Sequence, residues 1–130
     1  MALDAYWRSA GAAFLDQTLE RIFSESRIKN FRPVTNYGLS ESTGPGCVHL
    51  GVENIHKVGA IGVPGYRWQC KIVDEQGVEV KQGEVGELCV KGPGVMTCYY
   101  HNEKATAETL KDGWLYTGDM AMQDEDGFYF

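Results

Sequence analysis

The sequence lacks three features that would each point to a particular class of protein. No run of about 18 apolar residues occurs among its 130 residues, so no transmembrane helix is predicted. Basic residues are not in excess, because the formal net charge is -6 at pH 7, whereas nucleic-acid binding needs a basic face. Residues 1–7 also lack the basic and apolar regions of a secretory signal peptide. We therefore expect neither a membrane span nor a nucleic-acid partner.

Cysteine and histidine are too few and too scattered to suggest a metal centre. None of the four cysteines forms a C-x-x-C pair, and the three histidines lie at unrelated positions. A zinc site is therefore not expected, and we expect free thiols in a reducing cytoplasm. The rest of the composition, with 43% hydrophobic and 23% charged residues, is typical of a globular chain with one modest core.

The N-terminal third of the sequence predicts one helix followed by one strand. Apolar residues recur at helical spacing between positions 14 and 23, which predicts an amphipathic helix with this apolar face: Phe14, Leu15, Leu19, Ile22 and Phe23. Pro33 then disfavours helix at the residue before it, and a short β-favouring run follows from Val34.

Beyond Gly46 the pattern changes to short segments bounded by glycine, which indicates an antiparallel β unit. Strands are predicted at 67–73, 78–80 and 85–91. One further helix is predicted from Asn102, as its N-cap, to about position 110. Near the end of the chain, an Asp-Gly pair predicts a hairpin turn rather than a calcium loop.

The stretch 34–46 carries several side chains that could bind a ligand. It is predicted to begin as a strand and to break into a polar loop. Tyr37 can stack on a planar base, and Gly38 leaves room for close approach. The Ser40 hydroxyl can bind a phosphate oxygen, and Glu41 can hold Mg²⁺ through oxygen. An ordinary surface turn has a similar composition, so composition alone favours that alternative.

Asp119 is a second candidate binding residue. Gly118 lets the backbone turn and is predicted to present the Asp119 carboxylate at the end of a strand. A carboxylate there can accept two hydrogen bonds from a vicinal diol such as that of ribose. A solvated turn aspartate is the alternative, and it is the more common of the two.

Four blocks of the chain resemble, in order, motifs of the adenylate-forming enzymes, the family of acyl- and aryl-CoA synthetases, luciferases and peptide-synthetase adenylation domains. Residues 36–41, Asn-Tyr-Gly-Leu-Ser-Glu, resemble the family's aromatic-Gly-x-Thr/Ser-Glu signature. Residues 112–119, Asp-Gly-Trp-Leu-Tyr-Thr-Gly-Asp, resemble its most specific block. The small-residue segment 9–15 and the Gly-Glu-Leu block at 86–96 resemble two more.

The resemblance implies a role for each candidate residue. It implies that Ser40 and Glu41 act in catalysis, where Ser40 touches phosphate and Glu41 holds Mg²⁺. Tyr37 would stack on adenine, and Asp119 would bind the ribose hydroxyls. The full nucleotide-binding set that the resemblance implies is Ala12, Ala13, Asn36, Tyr37, Gly38 and Asp119. ATP or AMP, Mg²⁺ and CoA are the implied cofactors and co-substrates.

The resemblance also implies an α+β fold in two parts. Residues 1–46 would form the helix–strand end of an α/β subdomain, and residues 47–130 a mostly antiparallel, distorted β-barrel-like subdomain. Family members are several times longer, so we expect the chain to be a fragment of a larger AMP-binding domain. We expect the isolated fragment to be inactive and to self-associate through the surface that would face the missing part.

The implied activity is ATP-dependent activation of a carboxylic acid followed by acyl transfer to CoA. The sequence around Glu41 most resembles that of long-chain fatty acyl-CoA synthetases. Two alternatives stay open at this point. An adenylation domain would load the thiol of a carrier protein instead of CoA. A small β-rich binding module without catalytic activity would carry the same turns by chance.

Overall fold

The structure, a computed structural model, describes residues 34–50, 54, 56, 57 and 59–130, with only the backbone at positions 34, 35, 45 and 50. Within these residues the chain forms two antiparallel sheets and one α-helix. This arrangement confirms the predicted α+β class. The helix predicted at 14–23 and the candidate residues Ala12 and Ala13 lie outside the described residues.

The first sheet contains three strands in the order β1-β2-β3: β1 (Val34–Leu39), β2 (Gly44–Leu50) and β3 (Val63–Pro64). A 3₁₀ turn, Ser40–Ser42, joins β1 to β2. The buried Ser42 hydroxyl stabilises this connection because it donates to the Leu39 carbonyl and accepts from the Leu39 N–H, each at 2.9 Å.

The polar loop predicted within 34–46 is shorter than expected. Tyr37 and Gly38 remain in β1, and the glycines at 44 and 46 belong to β2. The physical reason is cross-strand pairing: Tyr37 is opposite Cys47, so backbone groups expected to face a loop are satisfied by the neighbouring strand.

The second sheet contains four strands in the order β4-β5-β7-β6: β4 (Gln69–Val73), β5 (Gly86–Lys91), β6 (Leu110–Lys111) and β7 (Trp114–Ala121). The strands predicted at 67–73 and 85–91 are therefore confirmed within two residues. The strand predicted at 78–80 is wrong, because only an isolated bridge between Val73 and Glu79 forms there.

Helix α1 (Glu103–Thr109) leads directly into β6. The side chain of Asn102 accepts a hydrogen bond from the Ala105 N–H at 3.1 Å, which confirms the predicted N-cap. None of the helices in the described part of the chain is long and apolar enough to cross a membrane.

The hydrophobic core lies between the two sheets. Leu88, Val90 and Leu115 are almost completely buried and belong to the second sheet, whereas Cys47 belongs to the first. The Cys47 Sγ atom lies 3.2 Å from the Cys70 Sγ atom, and both thiols are free. The hydrogen bond with Cys70 and burial raise the pKa of Cys47 well above its ordinary value, so this thiol stays protonated.

The C-terminal segment connects the sheets. Tyr129 forms an isolated antiparallel bridge with Gly62 and another with Gln123. The turn between Gln123 and Tyr129 is closed by two hydrogen bonds. The Asp124 N–H donates to the Phe128 carbonyl, and the Gly127 N–H donates to the Asp124 carbonyl. The predicted hairpin is therefore confirmed.

Gly62 is expected to tolerate no side chain. Its φ angle is +103°, and a Cβ atom there would overlap the backbone of Val48. Gly83 is the matched control, because its φ is +88° but nothing lies within 4 Å of the position that a Cβ atom would take. We expect Gly83→Ala to lower the free energy of unfolding by roughly 1–2 kcal/mol, since it carries backbone strain alone.

Gly62→Ala adds a steric overlap to the same strain, so we expect a loss of more than about 3 kcal/mol. Urea denaturation of the purified variants measures both values. Equal losses for the two variants would contradict the close approach of Gly62 to β2.

Candidate functional site

Strand β7 contains a bulge at the position of the predicted binding residue Asp119. On β5 only Leu88 lies between the paired residues Glu87 and Cys89, but on β7 the three residues 117–119 lie between their partners. Gly118 adopts a φ of +73° inside the bulge. Bulges redirect side chains and are common next to active sites.

Side chains from both strands hold this bulge in place. The Thr117 hydroxyl donates to the Leu88 carbonyl at 2.7 Å and accepts from the Asp119 N–H at 3.1 Å. The Glu87 carboxylate accepts from the Gly118 N–H at 2.9 Å. The prediction that Asp119 ends a strand is therefore wrong: it lies inside β7, and a bulge rather than a strand end changes the direction of the backbone.

The structure brings Tyr37 and Asp119 together across the two sheets. The Tyr37 hydroxyl donates to Asp119 Oδ2 at 2.6 Å, although the two residues are 82 positions apart. Both side chains are partly exposed. A carboxylate offers about four acceptor positions.

Glu41 lies in the 3₁₀ turn between β1 and β2 and is held at two points. Its carbonyl accepts from the Met96 N–H at 2.7 Å, and its Oε1 atom accepts from the Tyr99 hydroxyl at 2.8 Å. The hydrogen bond to Glu41 raises the pKa of Tyr99 above its ordinary value, since the negative carboxylate favours the protonated phenol.

A polar groove of about 370 Å³ runs along Glu41, Tyr99 and the bulge. Its lining includes Leu39, Glu41, Tyr99, Thr117 and Gly118. Tyr37 and Asp119 are not lining residues, but each lies near one: Leu39 is two residues from Tyr37 in β1, and Gly118 precedes Asp119.

Three further predicted site residues lie in β1 and in the 3₁₀ turn that follows it. Asn36, Gly38 and Ser40 are exposed and do not line the groove. The structure therefore does not bring these three residues together with Glu41 in the groove.

The single carboxylate of Glu41 fits a magnesium ion whose other ligands are water and phosphate oxygens. No group of three histidine, cysteine, aspartate or glutamate side chains able to hold a metal is found among the described residues. Mg²⁺ does not need such a cage, because it usually keeps several waters and binds one or two carboxylates plus substrate phosphates. Oε1 of Glu41 accepts a hydrogen bond from the Tyr99 hydroxyl, whereas Oε2 accepts none from the described residues.

Sequence reasoning missed Tyr99, Thr117 and Glu87 as contributors to this site. Tyr99 lies three residues beyond the Gly-Glu-Leu block at 86–96 and was not a candidate, yet its hydroxyl contacts Glu41, the predicted metal ligand. The signal for Thr117 was present, because a hydroxyl residue next to a glycine often bonds to the backbone at an irregular strand position.

These features, together with comparison to known proteins, define the class. The family described as AMP-binding enzyme matches residues 3–100. The chain belongs to this family.

Particular relatives are considerably longer than the chain. The long-chain-fatty-acid–CoA ligase of Salmonella typhimurium is 49% identical over 96 residues, which cover 71% of this chain and 16% of that protein. The probable 4-coumarate–CoA ligase 1 of Dictyostelium discoideum is 40% identical over 123 residues, which cover 93% of this chain and 22% of that protein. The chain thus spans about a fifth or less of the length of these relatives.

Solved structures of similar proteins show the same fold. A putative long-chain-fatty-acid CoA ligase from Rhodopseudomonas palustris superimposes with a TM-score of 0.77 at 30% identity, over 88% of this chain and 28% of that one. The o-succinylbenzoate CoA synthetase of Bacillus subtilis, in complex with ATP and magnesium ion, gives a TM-score of 0.73 at 32% identity, over 85% of this chain and 23% of that one.

The hydrogen bond between Tyr37 and Asp119 is expected to appear as an energetic coupling. We expect a double-mutant cycle of Tyr37→Phe and Asp119→Asn to give a coupling of roughly 1 kcal/mol in the free energy of unfolding, because a half-exposed hydrogen bond to a charged group is worth less than a buried one. Urea denaturation of the parent, the two single variants and the double variant measures it. Strictly additive effects would contradict direct contact between the two side chains.

Proposed function

We propose that the protein carrying this chain is an AMP-forming acyl-CoA synthetase. The carboxylate of the substrate attacks the α-phosphorus of ATP, the bond to pyrophosphate breaks, and an acyl-adenylate forms. The thiol of CoA then attacks the acyl carbonyl, and AMP leaves. Membership of the AMP-binding enzyme family and CoA ligases among the relatives support this proposal.

The observation that carries the proposal is the 2.6 Å contact between Tyr37 and Asp119 beside the groove lined by Glu41. An aromatic ring and a carboxylate in contact can bind the two ends of one nucleoside. The Tyr37 ring stacks on adenine, and Asp119 accepts hydrogen bonds from the ribose hydroxyls. The Tyr37 hydroxyl orients the Asp119 carboxylate before the nucleotide arrives.

Three more of the proposed nucleotide contacts come from β1 and from the 3₁₀ turn that follows it. Asn36 and Gly38 lie in β1 on either side of Tyr37, where they border the adenine. Ser40 begins the turn after β1, and its exposed hydroxyl bonds to phosphate. We assign Ala12 and Ala13 to the adenine edge or the acyl pocket by the family resemblance alone.

Glu41 is the residue that would hold Mg²⁺. When bound there, Mg²⁺ would neutralise negative charge on the phosphates of ATP. The carboxylate of Glu41 supplies one oxygen ligand, and the 3₁₀ turn fixes its position relative to Ser40.

A fatty acid is the substrate that we propose, because a relative is named as a long-chain-fatty-acid–CoA ligase. A relative named as a probable 4-coumarate–CoA ligase makes an aromatic acid the second substrate class to test. The four free cysteines fit a reducing compartment such as the cytoplasm.

Asp119→Ala is expected to weaken AMP binding by roughly 10- to 100-fold, because a hydrogen bond to a charged group contributes about 1.5–3 kcal/mol. Isothermal titration of the full-length protein with AMP measures this loss. Glu75→Ala is the matched control, since Glu75 is an exposed carboxylate in a turn and should leave AMP binding unchanged. Equal affinity of the Asp119→Ala variant and the parent would reject the ribose assignment.

The full-length protein is expected to release pyrophosphate from ATP only when a carboxylic acid is present. A coupled pyrophosphate assay with fatty acids of increasing length and with aromatic acids measures the preference. CoA added in a second step should yield acyl-CoA. Pyrophosphate release followed by transfer to a carrier-protein thiol, but not to CoA, would instead identify an adenylation domain.

A further inference from the structure

Tyr99 has no assigned part in the proposed reaction, yet its side chain reaches the site. It lies between the end of β5 and helix α1, and its ring lines the groove together with Glu41. Its hydroxyl donates to Glu41 Oε1 at 2.8 Å, across 58 positions of sequence. The neighbouring Tyr100, in contrast, is 87% exposed.

Helix α1 fixes the backbone of Tyr99. The Tyr99 N–H donates to Thr106 Oγ1 at 2.9 Å, and the Thr106 hydroxyl donates to the Asn102 carbonyl at 2.8 Å. The Asn102 N–H donates a hydrogen bond to the Tyr99 carbonyl at 3.2 Å. Hydrogen bonds with residues at the start of α1 therefore hold both the N–H and the carbonyl of Tyr99, which restricts the position of its ring.

The same segment also holds the backbone of Glu41. The Met96 N–H donates to the Glu41 carbonyl at 2.7 Å, three residues before Tyr99. The segment between β5 and α1 thus holds both the main chain and the side chain of Glu41. A glutamate side chain has three rotatable bonds, so a second point of attachment restricts the carboxylate to a small part of the space it could otherwise reach.

We propose that Tyr99 is a positioning residue for Glu41. Its hydroxyl holds Oε1, so that Oε2 is presented to a divalent cation bound with the nucleotide phosphates. Partners of this kind orient metal ligands in other proteins, and their loss typically weakens metal affinity or activity by 10- to 100-fold. This inference rests on the proposed function, since it takes Glu41 as the metal ligand.

The test compares Tyr99→Phe with Tyr100→Phe in the full-length protein. Both substitutions remove one hydroxyl, but only Tyr99 contacts Glu41. Mn²⁺ serves as the probe, and electron paramagnetic resonance measures its binding to the complex with a non-hydrolysable ATP analogue. We expect Tyr99→Phe to raise the dissociation constant of Mn²⁺ about 10-fold and Tyr100→Phe to leave it unchanged. Affinity for AMP without metal should not change in either variant.

Glu41→Gln separates this inference from the proposed function. If Glu41→Gln leaves Mn²⁺ binding unchanged, the metal role of Glu41 fails, and the positioning role of Tyr99 fails with it. If Glu41→Gln weakens Mn²⁺ binding but Tyr99→Phe does not, the inference is overturned and the proposed function stands. A lower melting temperature of Tyr99→Phe with unchanged Mn²⁺ affinity would show a structural role only and would also overturn it.

Discussion

The contact between the Tyr37 hydroxyl and the Asp119 carboxylate is the interaction on which the rest of the site depends. It joins β1 of the first sheet to the bulge in β7 of the second sheet. Each partner is in place only if its own strand keeps its register, because a one-residue slip turns a side chain to the opposite face. The contact therefore reports that both sheets are correctly formed and correctly packed against each other.

Three chemical groups of the site come from irregular backbone that regular strands support, whereas Tyr37 lies in strand β1 itself. Glu41 lies in a 3₁₀ turn, Asp119 in a bulge, and Tyr99 in the connection between β5 and α1. Regular strands alternate their side chains between two faces and cannot aim several of them at one point. Turns and bulges remove this restriction, and the hydrogen-bonded sheets on either side keep them rigid.

Local patterns in the sequence predicted β1, β4, β5 and α1, whereas β2, β3 and β6 were not predicted. The predicted bounds of β4 and β5 agree with the structure within two residues, and the side chain of Asn102 marked the start of α1. Tyr37 and Asp119 were identified as candidates, but their direct contact was not. Gly118 explains why the bulge was predicted as a strand end, since a positive φ suits both arrangements. Only the pairing of β7 with β5 distinguishes a bulge from a strand end.

Tyr99 shows a second limit of reasoning from sequence. Tyr99 and Tyr100 are adjacent and chemically identical, and no periodic pattern surrounds them. One hydroxyl reaches Glu41 while the other side chain is exposed to solvent. The difference arises from the path of the chain between two elements, which is set by contacts with the first sheet and with α1 rather than by neighbours in sequence.

The number of residues in the β7 bulge has a consequence for how such sequences can diverge. Three residues on β7 face one on β5, so the bulge adds two residues, an even number. Tyr116 and Met120 therefore stay on one face of the sheet, and Ala121 remains buried while Met120 is exposed. Deletion of a single residue here would leave a bulge of two residues against one, which changes the local twist of β7 rather than the pairing beyond it. A change of length at this position should thus alter the direction of the Asp119 carboxylate more than it alters the strands on either side.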